Sequence, residues 1–378
     1  MSSKALANAQ IYHFRYQLTE PVETVMSPLT ARSCLLLRIE DEDGAFGWGE
    51  IWCNFPPDGD YHRARLAAKI LPEALKGILA DEAEPFIKIL SRFHRLIIQC
   101  GEPGPVAQIV SAIDIALHDM QARYAKVPLA VYLGGNSSAV PAYASGINPY
   151  TAAKQIERMR SIGYSRFKQR IGFGPADGIK AAKETFDTLK SEELFMLDAN
   201  QAWDYAVAIQ KCEQLKELDL FWLEEPIAAD ASEADWSRLS KCAPMKLAGG
   251  ENLTGEALKD SVKLGALSVI QPDICKWGGL SFGMSIARAA VDAERIYCPH
   301  CLGSGIGLTA SAHLLSAVGG GGMLEVDSSD NPFISAFSWQ GLGLEDGTFS
   351  LSDAPGLGFE PNIELAEEFL VQKQEICL

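Results

Sequence analysis

Two rhythms of apolar positions run along this chain, and the point where one replaces the other divides it. Between residues 11 and 52 short apolar runs dominate: Cys34-Leu35-Leu36-Leu37-Arg38-Ile39, a turn at Asp43-Gly44, then Ala45 to Ile51. Two such runs around an Asp-Gly pair predict a β-hairpin with a neighbouring strand of mixed polarity. From Tyr61 to about Gln99 the apolar residues fall at helical spacing, and Ile109 to Arg123 gathers Ile113, Ala116, Leu117 and Met120 on one side of a further helix. The first 135 residues therefore read as a small α+β domain, with Leu133-Gly134-Gly135 and Asn136-Ser137-Ser138 as its exit turn.

Beyond Val140 the rhythm becomes a short apolar run followed by a helical stretch. The runs are Val140–Ser145, Arg166–Ile171, Leu194–Asp198, Leu220–Glu224, Lys246–Gly250, Val269–Pro272, Ile296–Pro299 and Met323–Val326. A doubly wound open sheet would also alternate in this way. Eight units, each long enough for one strand, one helix and two loops, instead predict an α/β fold whose parallel strands close into a (β/α) barrel. After it come a turn at Pro355-Gly356-Leu357-Gly358 and a last helix from Ile363 to Val371.

Composition removes several classes of function. The 378 residues are 47% hydrophobic and 22% charged, ordinary values for a globular protein with a large core. The net charge of −16, with no local cluster of Lys and Arg, argues against nucleic acid. No run of 18 apolar residues occurs, and Met1 to Gln10 lacks a basic end followed by an apolar block, so the expectation is a soluble cytoplasmic protein that meets no membrane. Nine cysteines, mostly single and in apolar surroundings, suit reduced thiols. Cys298-Pro299-His300-Cys301 has the spacing of a redox pair, but it lies deep in a long chain rather than after an early strand.

Candidate chemistry collects at the strand ends. Asp198 ends the third run, Glu224 the fourth, and Glu251 follows the fifth. In a barrel these positions face the C-terminal rim, where active sites are built. Three hard oxygen ligands from adjacent strands suit an octahedral Mg²⁺ that keeps positions open for substrate. Any one of them could instead cap a helix. Asp273 ends the sixth run, His300 the seventh, and Glu325 lies in the eighth. Lys168 and Arg170, two apart on the second strand, share a face. A carboxylate behind a histidine fixes its tautomer and raises its basicity, which makes Asp273 and His300 a candidate base pair.

With these residues in place the sequence resembles the mandelate racemase branch of the enolase superfamily over nearly its whole length. The resemblance is carried by Lys168-Gln169-Arg170, Leu197-Asp198-Ala199-Asn200, Trp222-Leu223-Glu224-Glu225-Pro226, Gly249-Gly250-Glu251-Asn252, Gln271-Pro272-Asp273 leading to Gly278-Gly279, and Pro299-His300. The segment from Ser111 to Asp119 resembles the family's capping-domain helix. The resemblance implies a capping domain over 1–135, a barrel over 136–352 and a C-terminal segment over 353–378 that returns to the cap. It implies one Mg²⁺ held by Asp198, Glu224 and Glu251, with His300 and Asp273 as the base dyad. Lys168 would contact the substrate carboxylate, Glu325 would be its protonated partner, and Arg170 and Asn200 would complete substrate binding. Arg170 departs from the family, which often carries a lysine base there. The stretch from Glu325 to Phe333 also looks like acid-sugar dehydratases and cycloisomerases of this branch.

The reaction so implied is removal of the α-proton of a carboxylate through a metal-stabilised enolate. That proton is too weakly acidic to be removed unless fixed charge awaits the developing anion. Dehydration of an acid sugar to a 2-keto-3-deoxy acid is the expectation, with lactone cycloisomerisation or racemisation as alternatives. Loops near Pro21–Leu29 and Cys53–Tyr61 would close over the site. The expected partners are a small carboxylate, an acid sugar or its lactone, and further copies of the chain. Two other readings exist: a phosphosugar-binding barrel using Gly303-Ser304-Gly305 and Gly319 to Gly322, and a scaffold that has lost catalysis.

Overall fold

Apolar alternation near the N-terminus becomes three strands, β1 (Leu6–Val22), β2 (Leu29–Asp41) and the short β3 (Phe46–Glu50), paired antiparallel in that order. The computed structural model describes residues 4–22, 24–136, 139–173, 178–339 and 344–378. Ser137 and Ser138 of the expected exit turn, Glu23 of the first expected loop and residues 1–3 lie outside these. The helical spacing after Tyr61 resolves into three helices, Gly59–Leu75, Pro85–Arg92 and His94–Cys100. The helix expected over 109–123 spans Gly104–Ala125 and is buried along nearly its whole length. Two of its carboxylates explain why polar residues sit there. Asp114 accepts from the backbone N–H groups of Phe86, Leu280 and Ser281 at 3.1, 2.6 and 3.0 Å, tying the helix to a barrel helix. Asp119 accepts from Trp48 N and Leu357 N at 2.9 and 2.7 Å, tying it to β3 and the C-terminal segment.

The eight apolar runs all form strands: β4 (Val140–Ile147), β5 (Arg166–Arg170), β6 (Leu194–Asp198), β7 (Leu220–Glu224), β8 (Leu247–Gly249), β9 (Val269–Ile270), β10 (Ile296–Tyr297) and β11 (Leu324–Asp327). Parallel ladders run without a break from β4 to β10, and β11 pairs with β4. The remaining seam is closed by contact: Met323 N donates to Cys298 Sγ at 3.3 Å, and Gly322 lies so near Tyr297 that a Cβ would sit 1.8 Å from its carbonyl oxygen. Tyr143, Met196, Trp222, Ala248, Val269, Cys298 and Met323 fill the barrel interior beneath the rim. Helices pack outside, so the open doubly wound sheet is excluded and the α/β barrel with an N-terminal α+β cap holds.

Two expectations change. β9 and β10 stop three residues short of Asp273 and His300, which therefore stand on loops just beyond the strands. The C-terminal helix does not reach Val371. A 3₁₀ turn at Ile363–Phe369 gives way to β14 (Leu370–Cys377), reached after the short hairpin β12 (Leu344–Glu345) and β13 (Thr348–Phe349). β14 pairs antiparallel with the open edge of β1, Asn8 facing Cys377 and Ile11 facing Gln374. The edge of β1 offers a row of unpaired backbone groups, and satisfying them outweighs the weak helical pattern of a tail with few buried residues.

Candidate active site

Period-two alternation on β5 turns Lys168 and Arg170 inward. Lys168 is 2% exposed, and its Nζ lies 2.6 Å from Glu224 Oε1, 2.7 Å from Glu325 Oε1 and 3.8 Å from Asp198 Oδ2. Burial opposes its charge, yet these three carboxylates hold its pKa well above the usual lysine value. Its surroundings thus favour the ammonium form.

The acidic strand ends share one rim. Asp198 and Glu224 face each other in register on β6 and β7, and Glu251 stands two residues past β8. Burial pushes Glu224 up to about 8, opposed by Lys168 and reinforced by Asp198 and Glu325; Trp222 Nε1 and Gln271 Nε2 donate to its other oxygen at 3.2 and 2.6 Å. Burial also raises Asp198, with Glu251 adding to the effect. Asn200 places its backbone N and Nδ2 on Asp198 at 2.8 and 3.0 Å, so it buttresses that carboxylate as well as lining the cavity.

Asp273 and His300 come together. Asp273 Oδ2 lies 2.7 Å from His300 Nδ1, while Asp273 Oδ1 is held by the N–H groups of Cys275 and Lys276 at 2.8 and 3.2 Å. His300 Nε2 lies 2.7 Å from Glu251 Oε2. Burial disfavours the imidazolium, but Glu251, Glu325 and Asp273 raise its pKa well above the ordinary value. Glu325 accepts from Ser145 Oγ and from Cys301 N, besides Lys168. Burial would favour a protonated Glu325, while the cations Lys168 and His300 act against it and hold its pKa below the ordinary value.

A cavity of about 260 Å³ opens above these groups. Arg170, Asp198, Asn200, Glu251, His300 and Glu325 line it, with Lys168, Glu224 and Asp273 directly behind. Thr24 and Met26 from one expected loop, and Phe55 from the other, reach its wall together with Trp52. Several contributors escaped the sequence. Lys276 lines the cavity, 3.4 Å from Glu251 and over the ring of Trp52; its position three residues past Asp273 was the available signal. Gln271, inside a motif already noted, holds Glu224. Arg32 and Asp327 pair at 2.9 Å across cap and barrel, which nothing local in the sequence announces.

Two competing readings fail on geometry. Cys298 and Cys301 are both free and buried, and burial pushes the Cys298 thiol up to about 12, which is no environment for redox exchange. The helix beginning at Gly305 offers no free phosphate cradle: Glu50 of β3 fills it, accepting from Ser304 N at 2.7 Å, Ser304 Oγ at 2.6 Å and Gly307 N at 2.8 Å.

Asp198, Glu224 and Glu251 supply the hard-oxygen donor set that a divalent cation prefers. Burial, with the repulsion between these carboxylates adding to it, raises two of the three pKa values, a cost that a bound cation would offset. Among the described residues no three such side chains are already gathered into a cage, because Glu224 is drawn to Lys168 and Glu251 to His300 and Lys276. The set fits Mg²⁺ in chemistry, with cationic side chains balancing the carboxylates.

Fold and site define a capped (β/α) barrel whose chemistry sits at the C-terminal rim. Residues 7–134 match the mandelate racemase/muconate lactonizing enzyme N-terminal domain and residues 151–366 the enolase C-terminal domain-like family, so the chain belongs to the mandelate racemase branch of the enolase superfamily. The D-galactarolactone cycloisomerase of Agrobacterium fabrum is 26% identical over 94% of this chain and 96% of its own length. A crystal structure of a mandelate racemase/muconate lactonizing enzyme from Bordetella bronchiseptica RB50 superposes with a TM-score of 0.90 at 43% identity, covering 97% of this chain and 99% of that one. A mutant L-talarate/galactarate dehydratase liganded with Mg and L-glucarate gives a TM-score of 0.85 at 26% identity, over 100% of this chain and 94% of the other. Its relatives thus include lyases and isomerases.

Proposed function

We propose that the protein removes the α-proton of an acid sugar and eliminates the β-hydroxyl, giving a 2-keto-3-deoxy acid. The carrying observation is the His300–Asp273 dyad at 2.7 Å, facing a cavity whose β5 side presents an arginine. Asp198, Glu224 and Glu251 would hold one Mg²⁺, which when bound supplies Lewis-acid stabilisation of negative charge on the substrate carboxylate. Lys168 adds a fixed positive charge at the same end. His300, its Nδ1 occupied by Asp273, takes the α-proton on Nε2. The resulting imidazolium returns that proton to the β-hydroxyl as the C–O bond breaks, so water leaves and the enol tautomerises to the keto acid. Arg170 orients a carboxylate or hydroxyl, because a guanidinium does not readily give up a proton near neutral pH. Ring opening of a sugar lactone by β-elimination would use the same groups. The net charge of −16 supports a protein without nucleic-acid partners, and among the described residues no helix is long and apolar enough to cross a membrane. We place it in the cytoplasm as a homo-oligomer. The test is a screen of mono- and diacid sugars and lactones with Mg²⁺, detecting 2-keto acids; turnover of none of them, with no exchange of any α-proton, overturns the reading.

A further inference from the structure

His300 stands beyond the end of its strand, and the chain around it is held largely from outside the barrel. β10 ends at Tyr297, after which two backbone bonds continue the ladder: Cys298 N to Ile270 O at 3.0 Å and His300 N to Pro272 O at 3.2 Å. Past His300 side chains take over. Cys301 N donates to Glu325 at 3.4 Å, and Asn331 Nδ2 donates to Gly303 O at 2.9 Å. The remaining grips come from the cap: Asn54 Nδ2 donates to Leu302 O at 2.6 Å, and Glu50 accepts from Ser304 N, Ser304 Oγ and Gly307 N at 2.7, 2.6 and 2.8 Å.

Glu50 is 3% exposed and, among the described residues, makes no ion pair. A buried carboxylate without a cation is costly, and here the positive end of the helix Gly305–Val318 stands in for one. Burial raises its pKa, opposed by the Ser304 and Gly307 donors and reinforced by nearby Asp273. The approach is close on both sides. A Cβ on Gly303 would lie 2.2 Å from Glu50 Oε1, and one on Gly307 would lie 2.9 Å from Glu50 Oε2 and 2.8 Å from Cys275 Sγ. Cys275 N in turn donates to Asp273 Oδ1 at 2.8 Å. Glu50 therefore packs behind both members of the dyad. It is presented rigidly, because β3 lies so near the buried helix Gly104–Ala125 that a Cβ on Gly49 would sit 2.0 Å from Ala112 O, and Asp119 of that helix holds Trp48 N.

We infer that Glu50 is a positioning residue for the proton transfer: a cap carboxylate that fixes the segment carrying His300 and, through Gly307 and Cys275, the segment carrying Asp273. The inference rests on His300 as the base and adds what sets its position. The cap then does more than cover the cavity. It completes the mounting of the base, at a point the substrate does not touch, since Glu50 and Ser304 lie outside the cavity lining.

Glu50→Gln, compared with the wild type and with His300→Asn, tests it. The amide has the same shape, but whichever way it turns, its NH₂ faces the N–H of Ser304 or of Gly307, and that hydrogen bond is lost. With an accepted acid sugar and Mg²⁺, α-proton exchange and kcat should fall about 100-fold, the cost of a misplacement near 1 Å, while KM changes by less than about 3-fold. Two readouts need no substrate: the Nδ1–H proton of His300 in proton NMR should shift or broaden, and amide hydrogen exchange over residues 300–308 should accelerate ahead of the rest of the chain. A purely structural role would lower the melting temperature and leave kcat of the folded protein, the imidazole proton and that local exchange unchanged, which overturns the inference. A rise in KM at constant kcat overturns it too. If Glu50→Gln does not fold, Ser304→Ala, which removes one donor and keeps the carboxylate, decides by the same readouts with a loss of about 10-fold in kcat. Exchange at the wild-type rate in His300→Asn removes the base reading and this inference with it, whereas an inactive His300→Asn beside a fully active Glu50→Gln overturns the inference alone.

Discussion

Asp273 holds His300 through Nδ1 at 2.7 Å, so the ring nitrogen left to the cavity is Nε2. That nitrogen already reaches an anion, Glu251, at 2.7 Å. On the proposed reading His300 is the base, and Lys168, held among carboxylates, is the first alternative. His300→Asn should abolish exchange of the substrate α-proton with solvent, a loss of at least about 1,000-fold given the usual contribution of a positioned base. Asp273→Asn should lower the rate less and leave substrate KM nearly unchanged. Exchange at the wild-type rate in His300→Asn, followed by NMR in D₂O, would place the base elsewhere.

Glu224→Gln should eliminate turnover while the protein still folds. The amide oxygen can accept from Trp222 and Gln271; its NH₂ then faces Lys168, which must shift toward Glu325, so the buried charge keeps an anionic partner. What is lost is one hard anionic ligand of three. The thermal melt should shift by only a few degrees, and excess chelator should silence the wild type in the same way. Full activity in the variant, or with chelator present, would refute the metal assignment.

Much of this site was legible because barrel strands place chemistry at their C-terminal ends, which a linear sequence records as an acidic or basic residue closing an apolar run. Asp198 and Glu224 announce themselves in that way. Lys276 and the Arg32–Asp327 pair do not: one lies in a loop, and the other joins residues nearly 300 positions apart. The C-terminal strand was hidden for a related reason. Its partner is the first strand of the chain, and alternation in β14 is too weakly apolar to show which edge it would cover.

Arg170 leads to the expectation of one-base chemistry. Inversion at the α-carbon requires a proton donor on each face of the enolate, and an arginine does not cycle its proton near neutral pH. Each epimer of an accepted substrate, incubated in D₂O, should yield keto acid from one configuration only. Deuterium incorporation with inversion and without keto acid would overturn this. Arg170→Lys should weaken substrate binding, with KM rising about 10-fold, since a point charge replaces a planar fork.

His313 should make the fold acid-sensitive independently of the active site. It is fully buried in the helix Gly305–Val318, where Nδ1 accepts the Ala130 N–H at 3.1 Å and Nε2 lies 3.3 Å from the Leu357 carbonyl oxygen, to which it donates. Only the neutral ring can do both. Protonating Nδ1 would set two donors against each other in an apolar interior, and burial accordingly lowers the pKa to about 4. In the unfolded chain the same histidine titrates near the ordinary value of about 6.5. Above that pH both states are neutral and the group has no effect. As the pH falls toward 4 the unfolded chain takes up a proton that the folded chain refuses, so stability is lost, by about 2 kcal/mol at pH 5 and about 3 kcal/mol near pH 4. His313→Gln keeps a donor and an acceptor in similar places but cannot titrate. Urea unfolding of both proteins at pH 7, 6 and 5 cancels the groups they share, including His118, whose raised pKa acts in the opposite direction. The wild type should weaken relative to His313→Gln by about 2 kcal/mol over that range, with the C-terminal segment around Leu357 losing hydrogen-exchange protection first; parallel curves would show that His313 is protonated in the fold.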